Sequence, residues 1–482
     1  MDFFESIQSA LDSATAWLGG VNDWLYTFIM IAMLVGTGVY LTIRSRALQV
    51  RHFGAMMRYV VRSRGGAKGG ISSFQAFAMG MSTRIGIGNI TGVALAMILG
   101  GPGALLWMWL TAFFGMATAF AEATLAQVFK QRHGDGAFRG GPASYIMKGL
   151  KSWPFAATFA VSMIFAMIIA MPMVQSNAIA QVVEGSHGID PWVTGVVISV
   201  FTAVVLIGGV RRIAQVTEVL APLMAIFYIV AAIAIIALNL DQLPNFFVEV
   251  FASAFGLREA FVGTGSGLIA ALMNGVRRGL FSNEAGLGTN PNAAATATVA
   301  HPVQQALLQS FGVFVDTMLV CSATGFIIMV TGALDFTTVT PDDAANITTN
   351  AITGSLGTWM AWPMSIMIFF FGVSSSLGAY AYGEANLVFL KAPHKVELAF
   401  RWMAVIFSFV GSVLALTFVW AVMDTAMFVV TILNLIALLA LSGWVIATLR
   451  DYERQLKNGV KEPVFRAADA GLPGKLDGDI WV

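Results

Sequence analysis

Charge is what this sequence of 482 residues has least of: 11% of it is Asp, Glu, Lys or Arg, against about 25% in ordinary soluble domains. The 27 basic and 26 acidic residues nearly cancel, to a formal net charge of +1, so there is no basic field to hold nucleic acid. A single cysteine, Cys321, excludes a disulfide framework. Five histidines, His52, His133, His187, His301 and His394, lie near the ends of apolar runs, too scattered for a metal cluster. Catalytic signatures are missing too. With no HExxH, GxSxG or Walker A loop, an intramembrane enzyme has no chemistry to point to. The first stretch, MDFFESIQSALDSATAWL, lacks the basic n-region of a signal peptide and reads as an amphipathic surface helix.

What is present is apolar length. The chain is 57% hydrophobic with a mean hydropathy of +0.77. A spanning helix needs about 20 mostly apolar residues. Eleven stretches meet that: 24–43, 71–99, 103–129, 155–183, 192–209, 214–239, 259–299, 304–332, 356–390, 399–421 and 424–449. The seventh is too long for one straight helix. Assigning the Arg-rich loop 44–68 to the cytoplasm and alternating from there places every basic residue but Arg84, Arg258, Arg277 and Arg278 on that side. The positive-inside rule then puts the N-terminus outside and the C-terminus inside, in the plasma membrane, with the bacterial inner membrane as the expected setting.

Two spans are spoiled at their centres. Residues 82–92 read STRIGIGNITG and residues 272–297 read LMNGVRRGLFSNEAGLGTNPNAAATA. Each glycine lowers helix propensity by about 1 kcal/mol relative to alanine. Glycines in membrane helices often serve only close packing. Here, however, the interruptions open the first and sixth of ten consecutive spans. Five spans per half is an odd number, so the second half lies inverted relative to the first, the pattern of transporters with paired discontinuous helices. The reading is an all-α membrane protein of 11 transmembrane helices, a 5+5 inverted repeat with one extra N-terminal helix. Its parts are 1–70 (amphipathic segment, extra helix and loop), 71–240 and 258–450 (the two repeats) and 451–482 (cytoplasmic tail). A channel would need a continuous polar stripe, and few spans show one.

The runs GIGNITGVALAMILGGPGALLWMWLTAFFGMATAFAEA (86–123), FRGGPASYIMKGL (138–150) and RRGLFSNEAGLGTNPNAA (277–294) closely resemble the alanine or glycine:cation symporter family. The resemblance extends along nearly the whole chain. It implies a leucine-transporter-type fold and uptake of a small neutral amino acid coupled to Na⁺, with H⁺ as the other coupling ion to consider. The alternative substrate is a larger or more polar amino acid such as glutamine or glutamate. Expected partners are that substrate and the lipid bilayer, with no nucleic acid; the oligomeric state is left open.

The resemblance also assigns residues. It places Gly86, Ile87, Gly88 and Asn89 in an unwound segment facing the substrate carboxylate. The carbonyls of Ser82 and Ile85, with the hydroxyls of Ser374 and Ser375 in FFFGVSSSLGAYAYGEAN (369–386), match a Na⁺ site, and oxygen ligands suit that hard cation. Gln175, from MPMVQSNAIAQ (171–181) with its neighbour Asn177, is expected to reach the substrate. Phe281, beside Ser282, is expected to close over it.

Three positions depart from the family pattern. Many relatives carry Thr at Arg84 and Thr or Ser at Ile87, and some carry Trp at Ala379, a side wall of the expected pocket. An arginine deep in a span costs at least about 2.5 kcal/mol on insertion scales. Arg84 either pairs with Glu284, the favoured reading, or replaces a second cation, or clamps a substrate carboxylate. Glu122, Glu218 and Glu384 read as partners in interfacial ion pairs. Asp316, mid-span, reads as a proton relay or as a hydrogen-bonded structural group.

Overall fold

The computed structural model describes residues 3–62, 71–132, 138–256, 267–334, 338–476 and 480–481, with the backbone alone for 3–7 and 209–222. The start of the seventh expected span and the side chains of Arg211, Arg212 and Glu218 therefore lie outside the described residues. Almost everything described is helix. Among the described residues, seven helices are long and apolar enough to cross a membrane: Gln8–Arg44, Ala104–Val128, Trp153–His187, Pro302–Val330, Thr358–Phe389, His394–Val413 and Leu416–Ala440. Pro191–Ile207 is a shorter apolar helix.

The first expected break is real. Ser73–Arg84 starts at a capping box, in which Ser72 Oγ accepts from Gln75 N at 3.1 Å and Gln75 Oε1 accepts from Ser72 N at 3.0 Å. These two bonds satisfy donors that a helix start leaves orphaned. The helix ends at Arg84. Ile85 and Gly86 are extended, a single 3₁₀ turn covers Ile87–Asn89 and the helix Thr91–Gly100 follows, so that Ile87–Gly100 lies at 54° to Ser73–Arg84. The second break follows Gly267–Asn283. Glu284 (φ 55°), Gly286 (φ 95°) and Gly288 (φ 84°) are left-handed before one short turn, Asn290–Ala294. Glycine takes such angles at no steric cost. Glu284 does not, so its neighbours must hold it there.

Around the breaks, Ala104–Val128 packs on both Gly267–Asn283 and Pro302–Val313, while Met171–His187 lies against Ala361–Phe389 and His394–Val413. Among the described residues, three π-helical turns interrupt α-helices, Tyr26–Met30, Phe165–Ala170 and Phe314–Cys321.

The structure corrects the outline in three places. The N-terminal segment does not stand apart as a surface helix: Phe3–Leu25 runs through the π turn into Ile31–Arg44. The last two spans divide at Leu414–Ala415, not near residue 422, because Ala415 turns extended and starts Leu416–Ala440. Stretches read as loops also hold helices. Leu240–Ala254 folds back at 80° from Leu223–Leu238, and Ala344–Leu356 packs on Thr91–Gly100. Both are too short or too polar to register as apolar runs.

The basic loops meet at one end of the bundle. Arg51 and His52 both bind Glu453, at 2.7 and 2.9 Å. The segment after Lys457 closes over that end. Phe465 N donates to Ala300 O, and Trp481 Nε1 donates to Gln127 O at 3.1 Å.

Candidate functional site

The two breaks lie face to face, and residues 80–96 are all buried. The last carbonyls of a helix have no partner within it and carry the negative end of its dipole. At the end of Ser73–Arg84, one of them is used from across the bundle: Ser375 Oγ donates to Ser82 O at 3.2 Å. Ser82 Oγ turns back on Met79 O at 2.8 Å, and Ile85 N bonds Met81 O. The structure therefore brings Ser82 and Ser375 together. Ser374, fully buried, instead donates to Phe371 O of its own helix at 3.1 Å.

Gly86 faces the same place. A Cβ there would lie 3.5 Å from Ser375 Cβ and 3.9 Å from Gln175 Oε1. Gln175 Nε2 rests on Met171 Sδ at 3.2 Å, while Oε1 is buried without a partner. An orphaned buried acceptor is costly, about 1–3 kcal/mol, and this one sits where a ligand ammonium or hydroxyl would satisfy it. Ala379, buried, is one turn beyond Ser375. Its neighbour Gly378 packs so closely on Thr83 Cγ2 that a Cβ has no room there. Asn177 belongs elsewhere. Its Nδ2 donates to Gly411 O and Leu414 O, tying down the end of His394–Val413.

Gly88 lies under Phe281: a Cβ would come 2.8 Å from Phe281 Cδ1 and 3.3 Å from Ser282 Cα. The Phe281 ring meets Trp420 with centroids 4.6 Å apart. Arg278 stacks on the same Trp420, 4.2 Å from its centroid, and pairs with Asp424 at 2.5 Å. Ile87 is completely buried between these groups and the half-helix that follows.

Asn89 is occupied by the protein. Its Oδ1 accepts from Gly86 N at 2.9 Å, which closes the 3₁₀ turn, and its Nδ2 donates to Asp316 Oδ1 at 2.6 Å and to Ser282 Oγ at 3.1 Å. Asp316 Oδ2 accepts from Ser282 Oγ and Thr317 Oγ1 at 2.8 and 2.7 Å. This carboxylate, carried on the π turn Phe314–Cys321, thus joins the two breaks.

Arg84 corrects the sequence expectation. It is 1% exposed and forms no ion pair with Glu284. Its Nε donates to Asn283 O at 2.8 Å, and Nη1 donates to Gln309 O at 3.0 Å and Gln309 Oε1 at 3.3 Å. The reason is geometric: Gly267–Asn283 ends beside Arg84, and the carbonyl at the negative end of that helix dipole receives the guanidinium, together with the carbonyl of Gln309. Glu284 turns to Thr83, Thr289 and Asn290 instead.

Glu122 is a second correction. It is 1% exposed and unpaired. Its Oε1 accepts from Gly288 N at 2.9 Å and Asn434 Nδ2 at 2.5 Å, so it caps the second break. Glu384 does face a cation, Arg401, at 3.9 Å. Sequence reading missed Gln309, Asn283 and Asn434. The signal for each was an amide inside an apolar run.

Apolar helices packed around two facing, polar-lined interruptions are the architecture of membrane transporters with paired discontinuous helices. Residues 11–467 match the sodium:alanine symporter family, and the chain belongs to that family. The probable sodium/glutamine symporter GlnT of Bacillus subtilis is 40% identical, over 93% of this chain and 92% of its own. The sodium/alanine symporter AgcS of Methanococcus maripaludis is 37% identical, over 92% and 98%. The crystal structure of MhsT in complex with L-phenylalanine superposes with a TM-score of 0.56 at 14% identity, covering 85% of this chain and 94% of that one. At that identity the likeness shows the fold, which is of the leucine-transporter type.

Proposed function

We propose that this protein is a Na⁺-coupled symporter that carries a small amino acid, alanine- or glycine-like, into the cell by alternating access around the two breaks. The observation that carries the reading is the meeting of Ser375 Oγ with Ser82 O. Hydroxyl and carbonyl oxygens from separate helices converge there beside Gly86, next to the unpartnered Gln175 Oε1. Oxygen ligands suit Na⁺, and an amino acid seated on Gly86 and Gly88 would complete the cluster. Ser82, Ile85 and Ser375 are the proposed Na⁺ ligands, with Ser374, whose hydroxyl bonds Phe371 O, supporting them from the same helix. Arg84, Gly86, Ile87, Gly88, Asn89, Gln175, Phe281, Ser282, Ser375 and Ala379 are the proposed substrate surround, within which Asn89 and Arg84 act by shaping the breaks.

In this reading the chain makes 11 spans, as two inverted repeats (71–240 and 258–450) after an extra first helix. The N-terminus lies outside and the C-terminus inside a bacterial inner membrane. A glutamine-sized substrate is the second reading, supported by the relative named as a sodium/glutamine symporter. Uptake of radiolabelled alanine, glycine and glutamine into proteoliposomes, with and without an inward Na⁺ gradient, tests both. Accumulation of none of the three under that gradient overturns the function proposed.

A further inference from the structure

We propose that Glu284, Thr83, Thr289 and Asn290 form a second site for a hard monovalent cation, Na⁺, apart from the one at Ser82 and Ser375. It rests on the reading of the protein as cation-coupled, but its test needs no transport.

The Glu284 carboxylate is fully buried. One of its oxygens, Oε2, accepts from Thr289 Oγ1 at 2.7 Å, Asn290 Nδ2 at 2.8 Å and Thr83 Oγ1 at 3.2 Å. The other, Oε1, has no partner, and neither does the amide oxygen of Asn290, itself 2% exposed. Two orphaned acceptors on two groups that touch each other are a double penalty that a bound cation removes. Gly80 leaves room for the Asn290 oxygen: a Cβ there would stand 2.5 Å from Asn290 Oδ1 and 2.9 Å from Gln309 Oε1. The donor set is carboxylate, amide and hydroxyl oxygen, without thiolate or imidazole, which selects a hard ion.

The local field points the same way. Glu284 follows the C-terminal end of Gly267–Asn283, where the helix dipole favours positive charge. Among the described residues, the buried charges at the breaks that form no ion pair are Glu122, Glu284 and Asp316 against Arg84 alone. Arg277 and Arg278 are already committed to Asp23 and Asp424. Three carboxylates facing one guanidinium leave room for added cations, and isolated charge in a membrane core is expensive.

Equilibrium binding of ²²Na⁺ to the purified full-length protein, with no amino acid present, is the test. The wild type is expected to bind two Na⁺ per chain. Ser375→Ala should lose one, and Glu284→Gln the other, its remaining ion serving as proof of folding. Asn290→Ala keeps the carboxylate and should weaken one of the two sites by about tenfold. Glu284→Gln with undiminished Na⁺ binding overturns the proposal. So does a wild type that binds no Na⁺, or a single ion that Ser375→Ala abolishes, since the oxygens around Glu284 then hold only water or a proton. If Glu284→Gln is not recovered as a monodisperse protein, Asn290→Ala decides: unchanged affinity at both sites overturns it. Na⁺-driven uptake, measured separately, decides the transport reading independently of this count.

Discussion

Arg84 and Asn283 join the ends of the two broken helices: Arg84 Nε donates to the Asn283 carbonyl at 2.8 Å while Nη1 reaches Gln309 O at 3.0 Å. The charge is held by backbone oxygens, not by an acid. We therefore predict that Arg84→Thr destabilises the protein, because each carbonyl left without a donor costs about 1–3 kcal/mol. Adding Glu284→Gln should not rescue it. Thermal unfolding of the single and double variants in detergent checks this, and a double variant as stable as wild type would restore the ion-pair reading. Arg84→Lys is expected to fall between, since one ammonium cannot copy the planar fork.

Gly88 is prescribed by Phe281 and Ser282. Alanine at this position meets the Phe281 ring at 2.8 Å and the Ser282 backbone at 3.3 Å, and the backbone cannot swing aside as a ring can. Overpacking of this kind costs about 1–3 kcal/mol. Gly88→Ala is expected to lose substrate binding while remaining inserted and monodisperse. Substrate affinity within twofold of wild type, a margin of about 0.4 kcal/mol, would take the segment out of the site.

The adjacent serines should separate. Ser375 Oγ reaches Ser82 O, whereas Ser374 Oγ is spent on Phe371 O. Ser375→Ala is expected to raise the Na⁺ concentration for half-maximal uptake by at least about tenfold, and Ser374→Ala by much less. Linkage requires substrate affinity to fall at low Na⁺ in the same variant. Equal effects of the two substitutions would place Ser374 among the ligands after all.

Sidedness is open to a direct measurement. Asn350 and Lys457 are exposed at positions that the basic loops assign to opposite faces. In intact cells, an impermeant maleimide should label Asn350→Cys and leave Lys457→Cys unlabelled, the native Cys321 being buried. The reverse pattern would invert the orientation read from Lys and Arg.

What the sequence by itself determined was the setting and the location of the site. Apolar length sets where helices can lie in lipid, and clustered glycine, arginine and amide residues can interrupt such helices only where protein receives their backbone. Both breaks, at Ile85–Ile90 and after Asn283, were legible for that reason. Partner choice was not. Whether Arg84 meets Glu284 or two carbonyls, whether Glu122 reaches an interface or the amide of Gly288, and which of two serines faces Ser82 depend on rotations of about 100° per residue and on contacts between segments 166 to 293 positions apart. Linear spacing carries no information on those. Packing decided them, by bringing the end of Gly267–Asn283 and the Gln309 carbonyl within reach of one guanidinium.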